Sequence, residues 1–100
     1  MIPDFDPELV EMFVEDVPER IEQIESAVQA GDREALARFG HQLKGAAAGF
    51  GFPKITEAAA VVERACKDGG TDDAAVVIAT RELLRLLNEA LDFGSSAQAA

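Results

Sequence analysis

The sequence predicts an all-α protein, an antiparallel up-and-down four-helix bundle with a short extra N-terminal helix. Apolar residues recur at spacings of three and four along most of the chain, and no useful stretch alternates apolar with polar as a strand would. Composition agrees, because Ala, Leu, Glu and Val are abundant while six Phe stand beside no Trp and no Tyr, a palette for helices with small-residue contacts. The 100 residues are enough for one core, since two would leave each with about fifty residues.

Asp6-Pro7-Glu8 reads as a helix start, with Asp6 as the cap and Pro7 at the first helical position. Leu9, Phe13, Val17, Ile21, Ile24 and Val28 then form an amphipathic stripe, interrupted by Pro18. An interior proline kinks or divides a helix, so the expectation is a short leader ending near Asp16 and a second helix from Pro18 to about Ala30. Gly31-Asp32 supplies the stop and the next cap. A helix over about 33–49 carries Leu36, Phe39, Leu43, Ala46 and Phe50 on one face, and Gly49-Phe50-Gly51-Phe52-Pro53 is the break. Phe50 and Phe52 are expected to plug the core under that turn. Ile55, Ala58, Ala59, Val62, Ala65 and Cys66 mark the third bundle helix, which Asp68-Gly69-Gly70 ends. The acidic start Thr71-Asp72-Asp73 suits the positive end of a helix dipole, and Val76, Thr80, Leu83, Leu84, Leu87 and Leu91 mark the last helix. The domain is expected to cover residues 1–93, with 94–100 a flexible tail or linker. Connections of a few residues make sequential helices antiparallel neighbours.

Nineteen acids against nine bases give a net charge of −10, which repels a phosphate backbone and argues against nucleic acid as a partner. The N-terminus lacks a basic start with an apolar run, and apolar stretches are short. The expectation is a soluble, monomeric, cytoplasmic protein with no membrane association. One cysteine and one histidine exclude an internal disulfide and a zinc site built from protein ligands alone, and no cofactor is expected. The charge is unevenly divided. Residues 1–34 hold eleven acids and two bases, residues 35–67 two acids and five bases, and residues 68–100 six acids and two bases. The locally basic middle third contains the histidine.

At ~100° per residue, Phe39, Leu43 and Phe50 fall roughly 160–180° from His41, so the imidazole is expected to point away from the core. Glu34, Ala37, Arg38, Lys44, Gly45 and Ala48 share its face. An exposed helical histidine is usually a residue with no task. Gly45 argues otherwise, because an interior helical glycine costs about 0.5–1 kcal/mol relative to alanine and here clears the space one turn from the ring for another protein. Lys44, at i+3, can reach over a group attached to the ring; a phosphoryl group, carrying close to two negative charges, would be stabilised there.

His41-Gln42-Leu43-Lys44-Gly45-Ala46-Ala47 matches H-x-L-K-G-small-small, and in this the chain resembles histidine-containing phosphotransfer (HPt) domains. The stretch from Leu36 to Lys67 also resembles the N-terminal phosphoacceptor domain of chemotaxis histidine kinases, especially in Gly49-Phe50-Gly51-Phe52, and Pro7 to Phe93 fits the family's helix order. The resemblance implies that His41 accepts a phosphoryl group from a receiver-domain aspartyl phosphate, or from a sensor or chemotaxis kinase, and passes it to another receiver. It implies further that the partner supplies the magnesium and acidic pocket. Arg38, Gln42, Ala48 and Lys67 are expected to bind the partner around the ring, although Arg38 and Lys67 could equally be solvated charges.

Hairpin arithmetic brings in Glu63. With the turn centred near Phe52, His41 and Glu63 are equally distant from it and should lie level. In the family resemblance a Glu or Gln at this offset hydrogen-bonds Nδ1 and leaves Nε2 free; otherwise Glu63 is a surface carboxylate or an intrahelical partner of Lys67. Cys66 is expected to be a small core residue. The chain has no G-x-x-x-x-G-K-[ST] motif and no room for a kinase domain, so a phosphorelay intermediate without kinase activity is the leading reading. The alternative is a non-phosphorylated acidic helical module that binds and modulates a receiver or kinase.

Overall fold

The computed structural model describes the backbone of residues 7–50 and 52–99 and the side chains of residues 11–49 and 52–92. The expected Asp6 cap and the packing of Leu9 and Phe50 lie outside these. Among the described residues there are four helices, α1 (Pro7–Ala30), α2 (Arg33–Phe50), α3 (Pro53–Lys67) and α4 (Asp73–Ala99), and no strand. Each packs on its sequence neighbours and α1 closes on α4, with α2 and α3 the most closely apposed pair.

Among the described residues the extra N-terminal helix is not a separate element. Pro18 lies inside one continuous α1, where the leader and the second segment were expected to separate. Phe13 and Val17 before the proline, and Ile24 and Ala27 after it, are buried on one face, and Pro18 itself is exposed. Keeping both segments on that stripe offsets an interior-proline cost of about 3 kcal/mol. At the other terminus α4 runs on to Ala99.

The connections follow local chemistry. Gly31 takes φ 65°, and the Asp32 N–H closes onto the Ala27 carbonyl at 2.9 Å, a left-handed helix end that favours glycine. Asp32 accepts the Ala35 N–H at 3.0 Å and Asp72 the Ala75 N–H at 2.8 Å, capping α2 and α4. Arg33 donates to the carbonyls of Ala65, Asp68 and Thr71, tying the start of α2 to the end of α3 and the turn beyond it.

Phe52 stacks on Phe13 with ring centroids 4.8 Å apart, the core plug expected under the turn. Ala35, Ala37 and Ala47 are buried beside Leu36 and Leu43, so the apolar face of α2 is wider than its large residues suggest; α2 packs on both α1 and α3. Thr80 is fully buried and donates its hydroxyl to the Val76 carbonyl at 2.8 Å, satisfying it within α4. Leu87 is fully buried at the centre. Leu87→Ala is expected to destabilise the fold by about 2–5 kcal/mol through lost transfer energy and a residual cavity, read as a lower denaturation midpoint with an unchanged slope.

Candidate functional site

His41 sits mid-way along α2 with 68% of its side chain exposed. It does not point straight into solvent. The flank of α2 carrying Ala37, Gly40 and Lys44 turns toward α3, and Ala37 is buried although the helical wheel put it on the open face. On that flank His41 Nδ1 lies 3.1 Å from Glu63 Oε2, and Lys44 Nζ donates to Glu63 Oε1 at 2.9 Å. Lys67, one turn along α3, donates to Oε2 at 2.9 Å. Glu63 therefore lies level with the ring and also forms the intrahelical pair with Lys67; the two roles offered by the sequence coexist.

The Glu63 side chain is only 10% exposed, whereas Lys44 and Lys67 are 40% and 64% exposed. A carboxylate so enclosed is tolerable because its lone pairs meet three donors. The hydrogen bonds from Lys67 and Lys44 outweigh the opposing effect of burial and bring its pKa down from 4.5 to about 2. Glu63 is thus ionised at neutral pH and acts only as an acceptor. Nδ1 must then be the donor, and in the neutral ring Nε2 keeps its lone pair.

The sign of the pH dependence follows from that lowered pKa. The stability contributed by Glu63 is present above its ordinary value of 4.5 and is lost as pH falls through about 2. A carboxyl carbon NMR titration is expected to find Glu63 turning over near pH 2; a midpoint in the ordinary glutamate range would mean that the lysines are not held on it in solution.

The remaining surface is open. Gly45 is exposed, with nothing within 4 Å of where a Cβ would stand, and Gln42 and Ala48 are exposed on either side of the His41 direction. Arg38 and Lys67 line one groove with His41 and Cys66, but the Arg38 guanidinium lies 5.3 Å over the Phe39 ring. Cys66 is half-buried against the core, and burial pushes its thiol pKa up. Among the described residues no cluster of three or more His, Cys, Asp or Glu side chains is placed to hold a metal ion, and no helix is long and apolar enough to cross a membrane.

Sequence reasoning passed over Gly40, which is buried where α2 meets α3. Its signal was a glycine in a helix interior beside the histidine. Arg33 was read only as a helix start, and nothing in its neighbourhood in sequence indicates the three carbonyls it reaches.

The all-α bundle presents one exposed histidine, backed by a carboxylate that two lysines also hold. The model of the Hpt domain family matches residues 8–93, and the chain belongs to that family. It is similar to phosphorelay intermediate protein YPD1 of Candida albicans (strain SC5314 / ATCC MYA-2876), with 42% identity over 52 residues, or 52% of this chain and 28% of that protein. The similarity thus spans little more than a quarter of the curated relative. No solved structure matches the chain.

Proposed function

We propose that this protein is a phosphorelay intermediate of two-component signalling in which His41 carries the phosphoryl group. The observation that carries the reading is the solvent-facing imidazole whose Nδ1 meets an ionised carboxylate. The Nε2 lone pair attacks phosphorus, the N–P bond forms as the acyl O–P bond breaks, and the donor aspartate leaves as its carboxylate. Transfer onward reverses these bonds at a receiver aspartate. Nδ1 keeps its proton throughout, so the ring becomes cationic on phosphorylation and Glu63 stabilises that charge through the same hydrogen bond. Lys44 faces the charge developing on the phosphoryl oxygens. A kinase is the other donor this chemistry admits, attack then falling on the terminal phosphorus of its nucleotide.

Arg38, Gln42, Ala48 and Lys67 form the surrounding partner surface in this reading. The working domain is residues 1–93, with 94–100 a tail or linker beyond it, and the setting is a cytoplasmic monomer. Purified protein mixed with a phosphorylated receiver is expected to acquire an acid-labile, base-stable label. Binding without label would support the non-phosphorylated module instead.

Gly45 leaves space where a receiver must approach. Gly45→Gln is expected to slow transfer while leaving the fold intact or more stable by several tenths of a kcal/mol, since glutamine is the better helix former. Stopped-flow transfer and thermal melts check both; unimpaired transfer would remove Gly45 from the docking surface.

A further inference from the structure

Gly40 precedes His41 by one residue, on the flank of α2 that faces α3. A Cβ added there would stand 2.9 Å from the Ala59 carbonyl oxygen, 3.2 Å from the Glu63 nitrogen and 3.4 Å from the Glu63 Cβ. The nearest two are backbone atoms, which cannot rotate away as the end of a side chain can. At Gly45 and Gly49, by contrast, a Cβ would meet nothing within 4 Å. Of the glycines in α2, only Gly40 is where another helix comes this close, and the approach falls on the residue whose carboxylate meets the ring.

We infer that Gly40 is a positioning residue: by letting the α3 backbone at Ala59 and Glu63 lie against α2, it sets the Glu63 carboxylate within hydrogen-bond reach of His41 Nδ1. Glu63 has a fixed reach, and its 3.1 Å contact with Nδ1 leaves little slack for a displaced backbone. An alanine at 40 would push the helices apart at this level or rotate α2, and either movement withdraws Oε2 from the ring. The inference rests on the proposed role of His41 only for its effect on rate. The effect on the ring's tautomer belongs to the unphosphorylated protein and stands by itself.

The test is nitrogen NMR of the single imidazole, with phosphoryl acceptance from a phosphorylated receiver measured alongside. Gly40→Ala is expected to shift the ring from one tautomer to a mixture and to slow acceptance about ten- to a hundredfold, the scale of an ångström-sized misplacement. Alanine is the better helix former, so weakened helix propensity does not explain such a loss. Gly49→Ala should leave both readouts unchanged. Because Gly40 acts through Glu63, Gly40→Ala added to Glu63→Ala should change neither readout beyond Glu63→Ala alone, the non-additivity of residues acting as a unit. Wild-type tautomer and rate in folded Gly40→Ala, or full additivity with Glu63→Ala, overturns the inference. Should Gly40→Ala not fold, Glu63→Asp decides: it keeps the helix approach but shortens the carboxylate's reach by one methylene. Loss of the single tautomer then supports a reach set by the approach, and its retention overturns it. If wild-type protein accepts no phosphoryl group, the carrier reading fails while the tautomer still judges Gly40.

Discussion

Replacing His41 with glutamine is expected to abolish phosphoryl acceptance while moving stability by no more than about 0.5 kcal/mol. The two expectations have separate causes. Glutamine has no nitrogen lone pair available for attack, because its amide nitrogen is delocalised into the carbonyl. The fold hardly depends on the ring, which is 68% exposed and contributes nothing to the buried core. Nor is Glu63 left bare, for Lys44 and Lys67 each remain 2.9 Å from it and the glutamine amide can donate in place of Nδ1. Labelling with a phosphorylated receiver, set beside a denaturant titration of the same variant, reads both. Residual acid-labile label would place the acceptor elsewhere, although this chain has no second histidine; a large stability loss would show that the ring is structural.

Where capping residues and apolar stripes agree, the elements were legible in the chain. Asp32 caps α2 through its side chain, as its position in sequence suggested, and the acidic start read at Thr71-Asp72-Asp73 opens α4, where Asp72 is the cap. Pro18 misled because its local effect, a lost hydrogen bond, is easily read, whereas the burial of Phe13, Val17, Ile24 and Ala27 that holds α1 together depends on the other helices. The level of Glu63 with His41 followed from hairpin arithmetic alone. The contacts that finish the site did not. Whether Gly40 is a weak point in a helix or the place where two backbones meet depends on which helix lies opposite, and the convergence of two lysines on Glu63 combines an i,i+4 neighbour with a residue from another helix. Arg33 and the carbonyls it binds are 32 to 38 residues apart, beyond any local pattern.

Glu63→Ala is expected to leave the acceptor in place and cripple it. Three donors lose their shared acceptor at once: the ring Nδ1 at 3.1 Å and the two ammonium groups at 2.9 Å. Without the carboxylate the neutral ring has no preference imposed on it, so both tautomers are populated and in one of them Nε2 carries the proton and cannot attack. The cationic ring formed on phosphorylation also loses its nearest negative charge. Acceptance should fall roughly ten- to a hundredfold, the scale seen when a group orienting a functional histidine is removed. Lys44 and Lys67 keep their charges in this variant but lose the carboxylate that anchors them, so their release adds to the loss on the imidazole side. Glu63→Gln separates the two contributions. Its carbonyl oxygen can still accept from Nδ1–H and hold the tautomer, but it carries no charge; a single tautomer with slowed acceptance would assign the remaining effect to the negative charge facing the ring. Nitrogen NMR of the lone histidine and single-turnover labelling measure the two quantities independently. Identical tautomer ratio and rate in wild type and Glu63→Ala would mean that Glu63 only anchors the two lysines, and that the orientation of His41 is set by α2 itself.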